Sequence, residues 1–164
     1  MKENLKRLHR KALSLISRRA YSVGEMRLKL LKWADKPDVD ATVEHLQQLK
    51  LLNDSEYAYN FALYRAGTEG WGPLKIRNAL VRRHLKAPDI DRALSRVREE
   101  IGNDYGLGEY LLRYFAKREH PRDTQGVRSL INHLLRRGHP RSIILENLGR
   151  ILPAKTMKYF GTGD

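Results

Sequence analysis

The chain has 164 residues with 41% hydrophobic and 31% charged content, so it can bury a core, but an elongated body suits that balance better than a sphere. A formal net charge of +13 points to an anionic partner, and the absence of cysteine excludes a disulfide framework and fits an intracellular, cytoplasmic protein. No apolar run is long enough to span a bilayer, and the basic start of the chain lacks the uninterrupted apolar stretch of a signal peptide.

In chain order, the apolar spacing is helical. Leu5, Leu8, Ala12, Leu15 and Ile16 share one helix face. Ser22 and Glu25 stand at the spacing of a capping box and open a helix carrying Met26 and Leu30. Pro37-Asp38 breaks the chain before a stripe of Val39, Val43, Leu46 and Leu49. Asn53-Asp54-Ser55-Glu56 is a second capping start, and Tyr57, Phe61 and Tyr64 follow at i, i+4, i+7, which marks them first as core. Gly67 to Pro73 reads as a turn, with Pro73 at the start of a helix bearing Ile76 and Leu80. Trp71, inside that turn, is the aromatic with the best claim to a contact surface, although packing beneath the turn weighs more.

Pro88 restarts a helix with Ile90, Ala93, Leu94, Val97 and Ile101. The last third carries Leu107, Leu111 and Tyr114, then Val127, Leu130 and Leu134, then a break at Gly138-His139-Pro140 before Ile144, Leu148 and Ile151. No stretch sustains period-2 alternation, so the expected fold is all-α.

The helices repeat. Ile76, Leu80, Leu85 and Ile90 superpose on Leu130, Leu134, His139 and Ile144 at a constant offset of 54, and Glu25, Met26 and Leu30 on Lys75, Ile76 and Leu80 at an offset of 50. This is the mark of three tandem three-helix units, about nine helices, over residues 1–52, 53–102 and 103–164, the last with a frayed C-terminal tail.

Charge follows the repeat. Residues 1–36 hold eleven Lys/Arg against three acids, 73–98 eight against two, and 111–142 eight against two, while the intervening blocks are acidic. The candidate binding residues for DNA or a filament are Arg27, Lys29 and Lys32 of the first unit; Lys75, Arg77, Arg82 and Arg83 of the second; and Arg128, Arg136 and Arg137 of the third. Nothing points to catalysis, a metal or a cofactor. There is no phosphate-binding glycine loop and no acid two residues before a lysine of the kind nuclease sites use, and the six histidines have no cysteine partners. His133 and His139 are read as a pair at a helix end.

These motifs resemble the RecX family of recombination regulators. The residues that carry the resemblance are Ala12-Leu13, Ser17-Arg18-Arg19, Ser22, Glu25-Met26 and Leu30; then Leu51-Leu52-Asn53-Asp54-Ser55-Glu56-Tyr57-Ala58; then Gly72-Pro73, Ile76-Arg77 and Leu80. The likeness is specific over residues 12–98 and only a pattern over 103–152; His84 stands where the family often has glycine, and Leu85 where isoleucine is common. The resemblance implies a curved, elongated array of three-helix units that binds the groove of a RecA-type recombinase filament on single- or double-stranded DNA. It also implies a monomer, not itself an enzyme, that modulates and mostly inhibits ATP hydrolysis and strand exchange in DNA repair. The competing expectation is an autonomous basic DNA-binding protein of helix-turn-helix type.

Overall fold

The computed structural model of the chain describes residues 3–157, so the expected frayed tail beyond Met157 lies outside the described residues. The described residues form ten helices and no strand: α1 Glu3–Ile16, α2 Val23–Leu30, α3 Lys36–Gln48, α4 Asp54–Gly67, α5 Pro73–Val81, α6 Ala87–Ile101, α7 Leu107–Phe115, α8 Thr124–Arg136, α9 Arg141–Ile151 and the single turn α10 Ala154–Met157.

The starts of these helices are written locally. Ser22 Oγ accepts from Glu25 N–H at 3.0 Å while the Glu25 carboxylate accepts from Ser22 N–H at 3.1 Å, which completes the capping box. Asp35, Asn53 and Asp123 accept in the same way from the backbone three residues on, at the starts of α3, α4 and α8. Pro73 is the first residue of α5, where its missing N–H costs nothing.

Contacts divide the chain into two compact units. Unit 1 takes the chain up to Asn60 together with Ala79–Ala93; unit 2 takes Phe61–Asn78 together with the chain from Leu94 onward. In unit 1, α1, α2 and α3 pack on one another around Leu8, Ala12, Met26, Leu30, Val39, Val43 and Leu46. In unit 2, α7 and α8 pack on α9 around Leu107, Leu111, Val127, Leu130, Leu134, Ile144 and Leu148. Each fully buried aliphatic side chain contributes ~1.5–3 kcal/mol of transfer free energy.

Two expectations about the core are corrected. The buried residues of α4 are Ala58, Tyr59, Ala62 and Ala66, whereas Tyr57 and Phe61 are half-buried and Tyr64 is 56% exposed. The alanines and Tyr59 occupy the buried positions there, and the three rings expected in the core stand at its flanks. Leu49, expected to close the stripe of α3, is 50% exposed, because it is the C-cap residue and the helical spacing no longer governs where it points.

Helices α3, α5 and α8 end alike. Lys50, His84 and Gly138 take left-handed backbone with φ of 57°, 60° and 87°. The N–H of the next residue in each case reaches back to Leu46, Leu80 or Leu134 O, at 2.9, 3.3 and 3.3 Å. This is the six-to-one closure that left-handed C-caps produce.

Candidate nucleic-acid and partner interface

The middle helices that carry the basic residues are anchored by a junction that occurs twice. In unit 1, Ser22 Oγ, at the start of α2, donates to Arg83 O just past the end of α5. A Cβ on Gly24 would overlap His84 Cβ. In unit 2, Gly72 N–H donates to Arg137 O at 2.7 Å and Leu74 N–H to Gly138 O at 3.2 Å, so the start of α5 caps the end of α8. A Cβ on Gly72 would overlap the Gly138 carbonyl, and one on Gly138 would overlap Lys75 N. Each junction satisfies carbonyls left over at one helix end with donors from another helix start, and sets the positive end of one dipole against the negative end of the other.

The ten charged candidates fall into different environments. Lys29, Lys32, Arg82 and Arg136 are exposed and hold no ion pair among the described residues. Arg128 is also exposed, and Arg77 is half-buried. Arg27 Nε is bound to Asp40 Oδ1 at 2.9 Å, and Lys36 meets the other oxygen of that carboxylate, which together hold Asp40 below the usual carboxylate range. Arg83 is half-buried and donates to Ala79 O at 2.9 Å, so it serves the end of α5 as well as any surface role.

Lys75 and Arg137 are brought together in unit 2 with residues that charge patterning did not single out. Lys75 Nζ lies 4.1 Å from the Trp71 ring centroid, and Arg65 Cζ lies 4.7 Å from the same centroid. Trp71 is therefore half-buried beneath two cations, with Phe61 edge-on at 6.3 Å, and Glu69 pairs with Arg65. Burial, with Arg137 and Arg65 nearby, holds the Lys75 ammonium below its usual value despite Glu69.

Arg137 donates to Glu69 O at 2.7 Å and to His133 Nε2 at 3.2 Å, and its guanidinium lies 4.6 Å from the Tyr110 centroid. Tyr110 OH is 3.1 Å from the same His133 nitrogen. Tyr114 continues the array, 5.6 Å from His133 and 4.5 Å beneath Arg118. Because Arg137 Nε can only donate, His133 Nε2 is an acceptor and the ring is neutral. Burial is the main cause that lowers its pKa, followed by Arg137, Arg136, Arg118 and Lys75.

His139 does not bond to His133. Its Nε2 is 3.1 Å from Gly70 O, the ring is 1% exposed, and Nδ1 has no partner among the described residues. Burial lowers its pKa as well. The turn at 69–72 is thus pinned from Arg137 and His139, residues more than sixty positions away. Trp33, which the sequence reading did not single out, is 57% exposed in the link between α2 and α3. The one signal available was its position among Lys29, Lys32 and Lys36.

Among the described residues no group of His, Asp or Glu could hold a metal ion, and no helix is long and apolar enough to cross a membrane. Residues 53–94 match the family model described as "RecX, second three-helix domain". A regulatory protein RecX of Pseudomonas savastanoi pv. phaseolicola is 33% identical to the chain, covering 90% of the chain and 91% of the relative. Another, of Ectopseudomonas mendocina, is 33% identical and covers 93% and 97%. The crystal structure of RecX from Lactobacillus salivarius superposes with a TM-score of 0.76 over 92% of the chain and 98% of its own length, at 19% identity, which shows a shared fold. With a relative one-third identical along nine-tenths of its length, the chain belongs to the RecX family of regulatory proteins.

Proposed function

We propose that the chain regulates a RecA-type recombinase by binding its filament on DNA, and that it lowers ATP hydrolysis and strand exchange there. Membership of a family of regulatory proteins carries this reading, and the +13 charge supports it by supplying the attraction that a polyanionic filament requires. The chain acts by binding and not by catalysis, as a monomer in the cytoplasm, with three functional units over residues 1–52, 53–102 and 103–164. Lys29, Lys32, Arg82 and Arg136 are the first to meet phosphate, being exposed and unpaired among the described residues; Arg128 and Arg77 join them. Arg27, Arg83, Lys75 and Arg137 divide their charge between the surface and contacts inside the chain.

The test is a titration of recombinase-dependent ATP hydrolysis on single-stranded DNA at fixed salt. Inhibition at amounts far below those that coat the DNA is expected. Inhibition only at full coverage would mean simple competition for DNA by an autonomous DNA-binding protein.

A further inference from the structure

Outside the ten charged candidates, Trp33 stands in solvent between a cleft lined by cations and a smaller one that Asp35 and Asp38 border. The backbone beneath it is fixed: Trp33 N–H bonds Leu30 O at 2.8 Å, and Asp35 caps α3 two residues later. The ring borders an open cleft of about 480 Å³ whose other walls come from α1, at Arg7, Leu8, Arg10, Lys11 and Ser14. Leu8 is 3% exposed, and Lys11 Nζ lies 4.3 Å from the indole centroid. Glu3 faces Arg10 at 3.6 Å with both side chains more than 70% exposed, a contact too solvated to hold the guanidinium. Three cations and no acid line this cleft.

An indole that served only to cover Leu8 would itself be covered, yet more than half of it is in water. A membrane-binding helix would turn its apolar stripe outward, whereas Leu8 and Ala12 of α1 are buried inward. An exposed aromatic face with cations on one side has the chemistry of a strand whose bases are unpaired. One base stacks on the ring while the phosphates on either side meet the charges. A duplex offers the phosphates but keeps its bases stacked inside.

We propose that Trp33 with Arg7, Arg10 and Lys11 forms a binding site for single-stranded nucleic acid. A base stacks on the indole, and Lys11 swings on its flexible stem from the ring to a neighbouring phosphate. That exchange is favourable because base stacking is the stronger of the two contacts with the ring. The site lies wholly in unit 1 and needs no recombinase, so it stands or falls separately from the filament reading.

The experiment measures the binding of the full chain to fluorescein-labelled dT12 and to a twelve-base-pair duplex by anisotropy at fixed low salt. Trp33→Leu, which keeps apolar cover over Leu8, is expected to weaken dT12 binding by about 5- to 100-fold while duplex binding changes less than twofold. Trp33→Phe should keep most of the affinity, and Arg7→Gln/Arg10→Gln/Lys11→Gln should weaken both ligands. In a Trp71→Phe background, dT12 should quench the emission of Trp33, a readout that does not depend on the stability of a Trp33 variant. The proposal is overturned by unchanged dT12 affinity in Trp33→Leu, by equal losses for dT12 and duplex, or by absent quenching. Binding of phosphatidylserine vesicles that depends on Trp33 while dT12 binding does not would also overturn it, and would assign the face to a lipid surface.

Discussion

His139 places an ionisable ring where a charge has no outlet. Its Nε2 is occupied by Gly70 O, its Nδ1 has no acceptor among the described residues, and the ring is almost wholly buried. Burial disfavours a cation there more than Gly70 O and Asp104 favour one, and Arg137 adds to the effect of burial. His133 is constrained in the same sense, because its acceptor nitrogen takes a hydrogen bond from Arg137. Both pKa values are lowered by folding, so the unfolded chain binds more protons than the folded one below the ordinary histidine value of ~6.5. Their contribution to stability is therefore complete above that value and is lost as pH falls through it toward the folded-state pKa. Thermal unfolding followed by circular dichroism should show the midpoint falling between pH 7 and pH 5. His139→Gln, which keeps a donor for Gly70 O, should be less stable at pH 7 and have a flatter profile over that interval. An equally steep profile in His139→Gln and in His133→Gln would remove both rings as the cause.

At the scale of the helix, the C-caps and the junctions they make set the tolerances. His84 occupies a left-handed position that costs a side-chain-bearing residue about 1–2 kcal/mol, whereas glycine there adds roughly 0.5–1 kcal/mol of freedom to the unfolded chain. His84→Gly should therefore stabilise by about 0.5 kcal/mol in urea unfolding, and a loss of stability would show that the His84 ring makes a contact worth more than the strain. Gly138 takes the same position with φ of 87°, against the backbone of Lys75. Gly138→Ala should cost about 2–5 kcal/mol, from overlap of ~1–3 and left-handed strain of ~1–2. Gly72→Ala should cost ~1–3 kcal/mol from overlap alone. Unchanged unfolding midpoints in both would mean that the junction of α5 with α8 gives way freely. The offset of 54 residues that aligned Leu80 with Leu134 also aligns His84 with Gly138, so the sequence pattern located these equivalent helix ends. The fold was legible because caps and apolar spacing act within four residues. The buried face of α4 was not, because the three alanines that share it with Tyr59 are outweighed in a reading of the sequence by Tyr57, Phe61 and Tyr64 beside them. The surroundings of His133 and His139 were illegible for a different reason: Tyr110 lies 23 residues from His133 and Gly70 lies 69 from His139, and no local spacing encodes such meetings.

Across the whole molecule, an excess of positive charge binds DNA only as far as individual cations are free to replace counterions. Charge counting treated ten side chains as equivalent, and their surroundings separate them. Arg27 already faces Asp40, and Arg137 is committed to Glu69 O, His133 and Tyr110; replacing Arg137 would loosen the turn at 69–72 before it altered any meeting with phosphate. Lys29, Lys32, Arg82 and Arg136 have no such commitments among the described residues. Replacing these four together by glutamine should leave the unfolding midpoint nearly unchanged and make duplex binding less sensitive to salt. The slope of log Kobs against log salt should become shallower by about one for each phosphate that is no longer neutralised, up to about four. Arg27→Gln alone should move the slope by much less, since its charge is already partly neutralised. A four-residue variant with the parent slope would mean that these exposed cations meet an acidic protein surface in place of phosphate. Any phosphate contacts in the proposed filament binding would then have to come from elsewhere on the chain, with the Trp33 face as the first candidate.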